Sequence, residues 1–62
     1  MNQNKTIPSD PVILLSYLNT QLRDFYPSLE ELCSTLGLDQ KDIEQKLHEI
    51  DYDYNIEQNK FI

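Results

Sequence analysis

Residues 28–47 read SLEELCSTLGLDQKDIEQKL, and the fold turns on how this stretch is parsed. Ser28-Leu29-Glu30-Glu31 is a capping box: the serine can bond the third helical amide while Glu31 reaches back to the serine's own amide. Leu29, Leu32, Cys33 and Leu36 then form an apolar stripe at helical spacing. Gly37 sits just past that stripe, where a left-handed residue closes a helix at little steric cost. Asp39 can cap a further helix, with Asp42 three residues on. Ile43, Leu47 and Ile50, spaced four and three apart, give that helix its inward face. The outline is that of a helix-turn-helix reader of DNA. The second helix nevertheless carries Asp42, Glu44 and Glu49, where such a reader keeps basic and amide side chains.

Upstream, Asp10-Pro11 predicts a helix start. Asp10 can accept from orphan amides, and a proline at the first helical position lacks only an amide that had no partner. On a wheel of 100° per residue, Leu14, Leu15, Leu18, Leu22 and Phe25 fall within an arc of roughly 100°, the core face. Pro27 ends this helix, because the residue before a proline is pushed out of the α region. Residues 1–8 are polar and unpatterned, and a disordered tail is expected there.

Downstream, the period changes. In DYDYNIEQNKFI, Tyr52, Tyr54 and Ile56 alternate with Asp51, Asp53 and Asn55, the period of two of a strand with one wet face. A four-residue loop over 56–59 sets Asn55 opposite Lys60, Tyr54 opposite Phe61 and Asp53 opposite Ile62. An isolated two-stranded ribbon is marginal in water, so this one must pack on the helices. The expected fold is therefore α+β, mainly α: helices near 10–25, 29–36 and 40–50 form a helix-turn-helix-like core. A C-terminal β-hairpin near 52–62 follows in a winged-helix-like position, the whole being one small domain over 9–62. The expected core is Leu14, Leu15, Leu18, Leu22, Phe25, Leu29, Leu32, Cys33, Leu36, Leu38, Ile43, Leu47 and Ile50 with one or two ribbon aromatics.

Sixty-two residues allow one core, and a domain of this size buries only about 60% of the surface its unfolded chain exposes. A single cysteine makes no internal disulfide and suits a reducing compartment. The first residues lack the cationic and apolar pattern of an export segment, and the longest apolar run, Val12 to Leu15, is far short of the ~20 residues of a membrane span. A cytoplasmic location without membrane contact is expected. Charge is unevenly placed. Through Pro27, Lys5 and Arg23 balance Asp10 and Asp24; from Ser28 onward nine acids face three lysines, which is the whole net charge of −6. A nucleic-acid binder is expected to show a basic stripe on the half that meets phosphate, and this chain is acidic there.

The stretch DPVILLSYLNTQLRDFYPSLEELC, Asp10 to Cys33, resembles a family of short bacterial proteins known only as an uncharacterised domain. Its pattern is DP-x-x-LLS-x-x-N-x-x-LRD-x-Y-x-SL-x-x-LC, followed by a helix and a Tyr-x-Tyr ribbon. The resemblance implies a small cytoplasmic bacterial protein and carries over no activity, substrate, cofactor or site.

Cys33 and His48 are the only pair with nucleophile-and-base chemistry. Cys33 falls on a buried stripe, His48 points to water, and no third group orients them. One cysteine and one histidine do not make a metal set, and the carboxylates lack calcium-loop spacing. No enzyme activity, cofactor, metal or small-molecule substrate is expected. Arg23, with Asn19, Ser16 and Thr20, forms a polar patch on helix one that either docks a partner or pairs locally. Ile13 and Tyr17, four apart, lie well away from the core arc, so either the hairpin covers them or they form a contact. The candidate protein-contact residues are thus Ile13, Tyr17 and Arg23. The expected function is a non-catalytic interaction module that self-associates, as a homodimer, or presents an acidic adaptor surface to a protein partner. A weak winged helix-turn-helix DNA-binding protein is the alternative.

Overall fold

Three helices and a C-terminal ribbon make up the computed structural model, which describes residues 7–62. Helix α1 spans Pro11–Asp24, α2 Leu29–Leu36 and α3 Gln40–His48; strands β1 (Tyr54–Asn55) and β2 (Lys60–Phe61) pair antiparallel. The predicted register holds, with Tyr54 opposite Phe61 and Asn55 opposite Lys60.

The caps follow from the side chains. Asp10 Oδ1 accepts from the Val12 and Ile13 amides at 2.9 and 3.4 Å, and Asp39 Oδ1 from those of Lys41 and Asp42 at 3.0 and 3.3 Å. Ser28 Oγ accepts from Glu31 N–H at 3.1 Å. Only this half of the expected capping box forms among the described residues; the adjacent orphan amide, Leu29 N–H, donates instead to the Tyr54 hydroxyl at 3.1 Å. Gly37 closes α2 at φ 71°, and Leu38 N–H returns to the Cys33 carbonyl at 2.8 Å. The end of α3 repeats that device without a glycine. Tyr52 and Asp51 amides return to the Leu47 and His48 carbonyls at 2.9 Å each, around Asp51 at φ 68°. A short polar residue tolerates that conformation, and helix three therefore stops at His48, short of the expected 50.

Leu14, Leu18, Leu22, Leu29, Leu32, Cys33, Ile43, Leu47 and Phe61 are enclosed. Leu15, Leu36, Leu38, Ile50, Tyr17, Tyr26, Tyr54 and Ile7 are half-buried against them. Ile7 belongs to the stretch read as a tail, the first six residues of which lie outside the described ones. Phe25 corrects the expected core: it is 69% exposed. Helix α1 ends one residue before it, and Phe25 takes φ −129° and ψ −27°, so the wheel angle no longer says where its side chain points. Tyr26 packs inward in its place.

Candidate interaction site

The ribbon is held to the helices by two asparagines, and they decide which surfaces stay open. In an antiparallel pair, bonded and non-bonded residue pairs alternate. Asp53 and Ile62 exchange both backbone bonds at 3.0 Å, so at the next pair Tyr54 and Phe61 turn their backbone groups away from each other. On the β2 side these groups meet Asn19 of α1. Phe61 N–H donates to Asn19 Oδ1 at 2.8 Å, and Asn19 Nδ2 donates to the Phe61 carbonyl at 3.1 Å. The amide thus takes the place of a neighbouring strand. Asn59, left-handed at φ 55°, donates from Nδ2 to the Leu22 and Tyr26 carbonyls at 3.2 and 3.0 Å, closing the C-terminal end of α1. Its Oδ1 accepts from the Tyr54 hydroxyl. One Tyr54 oxygen therefore joins the start of α2 to the loop of the ribbon. The Tyr54 and Phe61 rings lie 5.6 Å apart at 57°, a favourable tilted contact.

The sequence sets Asn19 in a polar patch that either docks a partner or pairs locally, and gives Asn59 only a place in the loop of the ribbon. A signal was present for both. An asparagine is a poor helix-interior residue, and Asn19 lies at the margin of the core arc. Asparagine is also among the few residues that accept positive φ in a tight loop.

Two clefts flank the ribbon. One, of about 880 Å³, runs between α1 and β2 and is lined by Val12, Asn19, Arg23, Tyr52 and Lys60 among others. The other, about 450 Å³, lies between the start of α2, α3 and β1. Leu29 and Tyr54 line it together with Glu30, Glu44 and Asp53, and the side chain of Ile56 stands at it 82% exposed. Gln40 Nε2 donates to Glu44 Oε2 at 3.0 Å, and His48 Nδ1 lies 2.9 Å from Asp53 Oδ1.

The candidate contact residues are not gathered in one place. Ile13 is 58% exposed, while Tyr17, one turn on, is half-buried against the core. Arg23 lines the larger cleft, which neither of those two reaches. Its guanidinium donates from Nε and Nη2 to Asp24 at 2.9 and 3.1 Å. That hydrogen bonding holds the Asp24 carboxyl below the usual carboxylate range and raises Arg23 above its ordinary value. Cys33 is enclosed, and burial first, then the Glu44 and Asp39 carboxylates, push its thiol up, away from the thiolate a nucleophile needs. His48 is exposed and engaged with Asp53. Among the described residues no group of three His, Cys, Asp or Glu could hold a metal ion, and no helix is long and apolar enough to cross a membrane.

No curated protein and no solved structure matches the chain. The profile of the family described as Domain of unknown function (DUF4250) matches residues 8–61, nearly the whole length, with all three helices and both strands inside it. The chain belongs to that family.

Proposed function

We propose that this chain is a non-catalytic protein-interaction module that associates with a second copy of itself through the outer flank of α1. The observation that carries this is the exposure of Ile13 (58%), with Tyr17 half-buried one turn on, on a capped helix whose Leu14, Leu18 and Leu22 already close the core; Val12 (63%) is exposed beside them, toward the α1–β2 cleft. Adjacent exposed branched residues on a rigid helix lose little conformational entropy when covered. Charge supports a homotypic contact: the first 27 residues carry no net charge, so two α1 flanks meet with little repulsion despite the overall −6. DNA binding has less support, since Asp42 and Glu49 are exposed at α3 and Glu30, Glu44 and Asp53 line the cleft beside it.

Sedimentation across a concentration series tests the proposal. The double variant Val12→Ser/Ile13→Ser is expected to remain monomeric where the parent associates, with thermal stability altered by less than about 0.5 kcal/mol as for ordinary surface changes. Tyr17 is left intact because its half-buried ring also serves the core. A parent that stays monomeric throughout refutes self-association. Micromolar binding of random duplex DNA at low salt, lost as salt rises, replaces it with the DNA reading.

A further inference from the structure

The two edges of the ribbon are treated differently. The β2 edge is occupied, because Asn19 takes both backbone groups of Phe61. On the β1 edge the alternation that turns Phe61 toward Asn19 turns the Tyr54 N–H and C=O the opposite way, and among the described residues neither has a partner. An unpaired edge of this kind is a template for another strand unless it is covered or bulged. Tyr54 lines the cleft together with Glu30, Glu44 and Asp53, and Ile56 is exposed at the turn that follows β1. A backbone donor and acceptor, three carboxylates and an apolar side chain thus occupy one place. No lysine or arginine lines it.

We propose that β1 and this cleft accept an extended, lysine- or arginine-bearing segment of another protein, which adds to the ribbon as a third strand. Its backbone would exchange two hydrogen bonds with Tyr54, its cations would meet the carboxylates, and an apolar residue would cover Ile56. Strand addition takes affinity from main-chain bonds and specificity from side chains. Here the edge offers one residue's pair of bonds, so the acids supply much of the attraction and binding is salt-sensitive. The proposal rests on the chain being a protein-binding module, but not on the α1 flank.

The test uses the full chain and a blocked nine-residue peptide of alternating lysine and valine. Its comparison is the same peptide N-methylated at every backbone amide, which keeps the charge and loses the strand donors. Titration followed by amide resonances is expected to move Tyr54, and the methylated peptide to bind about fivefold more weakly, as the loss of the hydrogen bond it donates to the Tyr54 carbonyl implies. Glu30→Gln with Glu44→Gln is expected to weaken the parent peptide about fivefold. Asp42→Asn with Glu49→Gln, equal in charge but outside the cleft, is expected to change it less than about twofold. Equal affinity for the two peptides, equal loss in the two charge pairs, an unmoved Tyr54 amide or no binding would each overturn the proposal. Val12→Ser/Ile13→Ser is expected to leave peptide affinity unchanged. A monomeric parent that binds the peptide therefore refutes self-association alone, and an associating parent that ignores the peptide refutes strand addition alone.

Discussion

Among the described residues, eight of the nine enclosed ones lie on the helices, whereas the ribbon contributes Phe61 alone. The helices pack Leu14, Leu18, Leu22, Leu29, Leu32, Ile43 and Leu47 together and are held by apolar burial that has no directional requirement. The ribbon brings two two-residue strands, too short to persist by pairing alone, and adds directional bonds from Asn19, Asn59 and the Tyr54 hydroxyl. The difference shows how a small chain attaches a β element to a helical core. One aromatic residue supplies the burial, and side-chain amides satisfy the backbone groups that the short strands leave over.

The largest effect should come where the two regions share a residue. Phe61→Ala is expected to cost ~3–5 kcal/mol. A core of this size rarely supplies more than about 3–5 kcal/mol in all, so helical circular dichroism should be lost along with the ribbon. If the helical signal and its melting temperature survive, the ribbon is an appendage and the helices stand alone.

A smaller effect isolates the polar fastening. Asn19→Ala leaves Phe61 N–H and C=O without their partner, at an expected cost of ~1–3 kcal/mol in chemical denaturation. Native-state hydrogen exchange should show the Phe61 amide losing protection before Leu18 or Leu47 does. Equal loss at all three would mean that the ribbon and helices open as one unit.

Smaller again is the change at Phe25. Its side chain is exposed, so Phe25→Ser should shift stability by no more than about 0.5 kcal/mol. A loss as large as that of Leu18→Ala would return Phe25 to the core.

The smallest concerns the Arg23–Asp24 pair on the surface. Asp24 is held below its ordinary range when folded, so any stability it contributes is present above the unfolded carboxylate pKa and is lost as pH falls through the lowered folded value. The pair is exposed and screened, so parent and Asp24→Asn melting curves should nearly coincide near neutral pH and converge further in acid. A gap that widens on acidification would contradict the sign of that shift.

The sequence by itself determined the three helices, the four-residue loop and the strand register, because caps, Gly37 and apolar periodicity act over a few residues and leave local patterns. Of the core it missed Phe25, which lies one residue past the end of α1, and Ile7, which packs on the core from a stretch without helical pattern; the left-handed turn at Asp51 carries no glycine to announce it. The interaction surfaces were less legible. Ile13, Tyr17 and Arg23 could be singled out one at a time, but their division between separate surfaces depends on which flank of α1 the ribbon covers. Only the tertiary structure decided that Asn19, 42 residues from Phe61, closes the β2 edge, while Tyr54 turns its backbone away from β2 on the other side. Such contacts join residues far apart in the chain, and an amide side chain fits solvent, a helix face or a strand edge equally well until the fold brings a partner to it.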